Sequence, residues 1–196
     1  MACDWSQSLR GRSLALLVSV VCAAVLMVTL PATAQDLPPT LSYFKHRSWT
    51  REDGVPGAVH AIAQTPDGFL WIGTGRGLYR FDGVTFDKAG FAPGSRLENA
   101  GVSKLIVGRD GTLWAGLFDG AGVAVLRGGQ LHDTGMPDPP MMITDLAEGR
   151  DGSIWAVWGG LDNRLTRYAD GRWQKMDAVS RLPAGQIIGI VVDAGG

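Results

Sequence analysis

The sequence predicts an all-β chain built from a repeated four-stranded antiparallel unit, and three observations predict it. The stretch Val59–Phe86 (VHAIAQTPDGFLWIGTGRGLYRFDGVTF) holds short apolar or alternating runs separated by turn residues. It recurs in altered form at Val102–Leu131 and Ile143–Trp173, and its opening recurs at Ile187. The copies keep register: Asp67, Asp110 and Asp151 are 43 and 41 residues apart, and Trp71, Trp114 and Trp155 keep the same spacings. A four-stranded meander repeating every ~40–45 residues is the pattern of a β-propeller blade. The expected architecture is a partial propeller of three blades plus the start of a fourth, preceded by a signal peptide helix.

Residues 1–34 read as that signal peptide. Arg10 and Arg12 precede the apolar run Leu14–Leu30, and Pro31 and Ala32-Thr33-Ala34 follow it. A basic flank, an apolar stretch and a small-x-small site are the parts of an export signal, with cleavage expected after Ala34. The expected location is the periplasm; an uncleaved segment would instead anchor the chain in the membrane. Cys3 and Cys22 both fall in this segment, and Val21 before Cys22 does not suit lipoprotein processing. The exported chain would then have no disulfide and no thiolate metal site. Removing residues 1–34 takes away Arg10, Arg12 and Asp4 and moves the formal charge from −1 to −2. No basic stripe is present, which argues against nucleic acid as a partner.

Residues 35–58 are expected to be a linker and an amino-terminal strand, the strand over Tyr43–Trp49 and a loop over Arg51–Gly57. Blade 1 is assigned to 59–95. Val59–Gln64 alternates as a strand does. Thr65-Pro66-Asp67-Gly68 is turn chemistry: Pro presets φ and Gly accepts φ > 0. Phe69–Gly73 is a short apolar run around Trp71, Thr74–Gly77 a second turn, and Leu78–Phe81 a third strand. Asp82-Gly83 turns into a fourth strand, Val84–Phe86. Blade 2 is assigned to 96–138, with Asp110-Gly111, Trp114 and Gly128-Gly129 at the matching positions. Blade 3 is assigned to 139–183, with Asp151-Gly152, Trp155 and Asp170-Gly171. Residues 184–196 are expected to give the first strand of an incomplete blade 4. Lys88–Ala100, Thr134–Met142 and Met176–Gly185 read as loops between blades. One such sheet cannot bury both faces alone, so the three tryptophans are expected to pack between neighbouring blades.

The core Asp67–Thr74 (DGFLWIGT), with Gly77–Gly83 (GLYRFDG) after it and Trp49–Pro56 (WTREDGVP) before it, resembles the two-component regulator propeller repeat. The resemblance runs from about Phe44 to Gly196, with the second and third copies departing at Phe118-Asp119-Gly120 and Trp158-Gly159-Gly160. It implies the periplasmic sensory portion of a membrane-spanning bacterial signalling protein. In such proteins a β-sandwich, a transmembrane helix and a histidine kinase or diguanylate cyclase follow; none of these is present in this sequence.

The chemistry visible in the sequence is sparse. Gly73-Thr74-Gly75-Arg76-Gly77 is G-x-G-x-G leading into a strand, which makes a hairpin turn rather than a phosphate loop. His46, His60 and His132 sit at unrelated repeat positions, so no metal ligand spacing arises. The Asp-Gly pairs recur singly where turns need them, rather than as a calcium site. No G-x-S-x-G elbow occurs, and the polar residues nearest the first strands (His60, Lys104, Asp145 and Glu148) share no common register. No catalytic, cofactor or metal residue is therefore assigned. Asp67, Gly68, Trp71, Asp82, Gly83, Asp110, Gly111, Trp114, Asp151, Gly152, Trp155, Asp170 and Gly171 are assigned to the blade repeat itself.

Three blades and a fraction cannot close a ring of 4–8, so the chain reads as an amino-terminal piece of a longer protein. The expected function is a sensory region truncated before its output domain. It would bind a small molecule or oligosaccharide and touch the membrane only through its signal segment. The alternative is a secreted propeller enzyme or binding protein acting on polysaccharide, which would need clustered carboxylates at the channel.

Overall fold

A computed structural model of the chain describes residues 47–158, 164–176 and 187–193. The expected signal peptide, the linker and the first part of the 43–49 strand lie outside the described residues, as does most of the Met176–Gly185 loop. The described chain is all β. Its strands are β1 (Val59–Gln64), β2 (Leu70–Thr74), β3 (Gly77–Phe81), β4 (Phe86–Lys88) and β5 (Gly90–Phe91). They continue with β6 (Val102–Val107), β7 (Leu113–Leu117), β8 (Val123–Arg127) and β9 (Gln130–Asp133). The last are β10 (Asp145–Glu148), β11 (Ile154–Trp158), β12 (Arg164–Ala169) and β13 (Arg172–Lys175). Three antiparallel meanders result: β1-β2-β3-β4, β6-β7-β8-β9 with β5 added beside β9, and β10-β11-β12-β13.

The turns show why the Asp-Gly pairs recur. In the first, the Thr65 N–H donates to Phe69 O (3.1 Å) and the Gly68 N–H to Thr65 O (2.9 Å). The same two bonds recur for Gly108/Thr112/Gly111 and Gly149/Ser153/Gly152. Gly68, Gly111 and Gly152 take φ of 90°, 83° and 79°, where a side chain would strain the backbone. The aspartate accepts the N–H two residues on: Phe69 to Asp67 (3.3 Å), Thr112 to Asp110 (2.9 Å) and Ser153 to Asp151 (3.1 Å). Each carboxylate thus satisfies a donor at the start of the Trp-bearing strand. Gly128-Gly129 (φ 54° and 77°) and Asp170-Gly171 (φ 50° and 75°) make two-residue turns with both residues at positive φ, the geometry that matches strand twist.

Cores form between sheets, not within them. One cluster joins Trp71 and Leu78 of the first sheet to Val102, Leu105, Leu113, Leu117 and Leu131 of the second. Another joins Trp114, Val123 and Val125 of the second to Ile143, just before the third, and to Leu146, Ile154 and Trp158 of the third. Trp71 and Trp114 are buried, but Trp155 is only half-buried, because no following sheet covers it among the described residues.

Four local expectations change. Residues 47–49 carry no strand; Thr50 is instead bound into a turn, with its N–H and Oγ1 donating to Asp53 Oδ2 at 2.7 and 3.0 Å. The fourth strand of the first sheet starts at Phe86, not Val84, because the Asp82 carboxylate accepts the Val84 and Thr85 N–H groups (2.8 and 2.7 Å) and holds both in the turn. The Lys88–Ala100 connection is not all loop. Its Gly90–Phe91 segment pairs parallel with β9, and Ala92 N–H continues the contact to Leu131 O (2.9 Å). Residues 187–193 form no strand, because no described strand pairs with them. The Ile190 N–H donates to Asp145 Oδ2 (3.1 Å) and so ties this segment to β10.

Candidate functional site

The strands β1, β6 and β10 are successive neighbours across the three sheets, so their ends bring the repeats' side chains together. In β1 the register shifts between Val59 and Ala61, and in β6 between Val102 and Lys104. The bulged residues are His60 and Ser103, which occupy equivalent repeat positions. Bulges re-aim side chains, and both of these contact the next unit. The His60 ring meets Phe118 edge-on with centroids 5.2 Å apart. Ser103 Oγ donates to Ile143 O at 2.8 Å.

Lys104, Asp145 and Glu148 of the first strands are engaged in ties between sheets. Lys104 Nζ lies 3.5 Å from Asp145 Oδ1. Glu148 accepts from the Arg109 N–H at 2.9 Å and from its Nε at 3.3 Å, while the same guanidinium reaches Gly149 O. Lys104 and Asp145 are therefore brought together, Glu148 is drawn to Arg109, and His60 stands apart from all three. Among the described residues no group of three or more His, Cys, Asp or Glu could hold a metal ion. Three aspartates of the repeat turns, Asp82, Asp110 and Asp151, are tuned by their surroundings. Thr85 and Val84 N–H groups hold Asp82 below the usual carboxylate range, and the Thr112 N–H and hydroxyl do so for Asp110. For Asp151 the Ser153 hydroxyl and N–H and the Arg167 guanidinium lower it further.

A cavity of about 490 Å³ lies between the loop before β1 and the turn joining β2 to β3. Its wall includes Arg51, Val55, Pro56, His60, Thr74 and Arg76. The turn is the hairpin the sequence implies, with Thr74 opposite Gly77 across Gly75-Arg76. Buried Thr74 fixes it: Oγ1 donates to Gly77 O (3.1 Å) and accepts the Arg76 N–H (3.1 Å). A methyl group placed on Gly75 would lie 3.8 Å from His60 Nε2, so the glycine leaves that nitrogen uncovered. The turn that Thr74 fixes thus places Arg76 in the same cavity wall as Arg51. Sequence reasoning treats Arg76 only as part of a turn and does not single out Arg51. The available signal is their absence from the repeat: the second and third copies have Asp119-Gly120 and Gly159-Gly160 near the position of Gly75-Arg76.

Comparison with known proteins agrees with the repeat. Residues 53–76 match the family described as two component regulator propeller. No curated protein matches the chain. In structure it resembles the extracellular domain of BT4673 from B. thetaiotaomicron, described as a one-component system, with 24% identity and a TM-score of 0.59 over 75% of this chain and 21% of that one. It also resembles the extracellular domain of the hybrid two-component system BT3049 from B. thetaiotaomicron (21% identity, TM-score 0.51, 70% of this chain and 19% of that one). A catalytically inactive virginiamycin B lyase from Staphylococcus aureus shares the fold at 17% identity (TM-score 0.54, 69% of this chain and 46% of that one). The chain spans about a fifth of the length of the two extracellular domains.

Proposed function

We propose, from the premise that residues 53–76 are a two-component regulator propeller repeat, that this chain is the extracytoplasmic sensory region of a bacterial signalling receptor. The observation that carries the reading is that this repeat sits in a run of propeller sheets behind an export-type amino terminus. The likeness to two extracellular domains of signalling systems supports it. In this reading the chain binds and does not turn over its ligand. Binding favours one of two receptor states, and a carboxy-terminal kinase or cyclase region reads the shift. The polar residues that an enzyme reading would recruit, Lys104, Asp145 and Glu148, are engaged in ties between sheets instead.

The test is a pair of reporter fusions after Gly196. A reporter active only outside the cytoplasm is expected to work, and to lose its activity when residues 1–34 are deleted. Activity of the cytoplasmic reporter alone would overturn the proposal.

A further inference from the structure

We propose that the cavity between the Arg51–Gly57 loop and the β2–β3 turn binds the oxyanion group (carboxylate, sulfate or phosphate) of a small ligand. This deepens the sensory reading and rests on it for its biological sense, but it stands on its own geometry. Among the described residues of the wall the ionisable side chains are Arg51, Arg76 and His60, with no carboxylate. Elsewhere Arg80, Arg96, Arg109 and Arg167 each reach a carboxylate. Arg51 and Arg76 have no ion pair among the described residues, and they share one cavity. Two arginines lining one cavity can offer the planar or tetrahedral oxygens of an oxyanion more donors than a single charge would.

The location adds to this. The chain carries a formal charge of −1, so this positive site is local and is not part of a general anion-attracting surface. Asp53, in the same loop, accepts from the Thr50 N–H and Oγ1 (2.7 and 3.0 Å). Val55 and Pro56 supply an apolar wall against which a carbon skeleton can pack. A volume of about 490 Å³ suits a ligand of one or two rings. The bulge at β1 and the bare Gly75 together leave His60 Nε2 open as a further donor or acceptor.

The experiment is calorimetric titration of the whole chain with glucuronate, glucose, inorganic sulfate and inorganic phosphate. Glucuronate and glucose share a ring and differ in the carboxylate. Glucuronate is expected to bind and glucose not to, with sulfate or phosphate competing; binding of an inorganic anion alone supports the site with a free oxyanion as its ligand. Arg51→Ala and Arg76→Ala are each expected to weaken binding about tenfold or more. Gly75→Phe, which fills the space before His60, is expected to abolish it, while Arg127→Ala in the exposed β8–β9 turn leaves it unchanged. Tryptophan fluorescence melts show that each variant is folded. No binding by any probe, equal binding of glucose and glucuronate, or binding indifferent to both arginines would each overturn the proposal. A chain that is exported but binds no anion defeats this inference alone; one that binds anions but stays in the cytoplasm defeats the sensory reading alone.

Discussion

Single residues in this chain carry separable jobs. Thr166, 2% exposed on β12, has a hydroxyl with no hydrogen-bond partner among the described residues. A buried unpaired hydroxyl costs about 1–3 kcal/mol. Thr166→Val should therefore raise stability by about 1 kcal/mol in urea unfolding; a loss would show that the hydroxyl has a partner in solution. Three of the repeat aspartates make an acid-sensitive set. Asp82, Asp110 and Asp151 all sit below their ordinary value of 3.8 in the folded chain. A lowered folded value favours the charged, folded state. That contribution is complete above the ordinary value and is lost as pH falls through it towards the folded one. Asp151→Asn keeps an acceptor for the Ser153 N–H but cannot titrate and loses Arg167. Its melting temperature should be lower at pH 7 and should fall less steeply between about pH 5 and about pH 3. Parallel curves for the two proteins would refute this assignment.

Sheet spacing is decided by two glycines at one repeat position. A methyl group on Gly73 would lie 2.6 Å from Val102 Cγ1, and one on Gly116 would lie 2.8 Å from Ile143 Cγ2. Both contacts are with the segment that opens the next sheet. Gly73→Ala and Gly116→Ala should each cost about 1–3 kcal/mol through overpacking, measured by chemical denaturation. Gly75→Ala, whose methyl meets only ordinary contacts, should be near neutral. The third sheet has buried Val157 at the same position.

Across the whole described chain, burial is uneven for a topological reason. The second sheet shares one core with the first and another with the third. The outer flanks are bare: Ile62 on β1 is 61% exposed, and Trp155 and Leu165 line an open groove beside residues 190–193. Local opening follows from few buried contacts. Hydrogen exchange should therefore protect β6–β9 most and release the outer strands of the other two sheets first. Equal protection in all three sheets would mean that the flanks are covered in solution.

What the sequence determines here is local and repeated. The Asp-Gly turns, the strand-forming run around each Trp and the 43- and 41-residue spacings are legible because turn and strand preferences depend on residues a few positions apart. The burial of Trp71 and Trp114 between sheets follows from the same repeat, since a lone sheet cannot cover its own apolar face. Even so, Val84 and Thr85 read as strand, because the reach of the Asp82 carboxylate to two N–H groups is invisible in a β-prone triplet. Only the tertiary structure decides which non-repeated residues meet. Pairing of Gly90–Phe91 with β9, of Lys104 with Asp145, and of Arg51 with Arg76 around one cavity depends on how successive sheets stack and where bulges turn a strand. Those placements sum many small rotations along the chain, and no local sequence pattern encodes the sum.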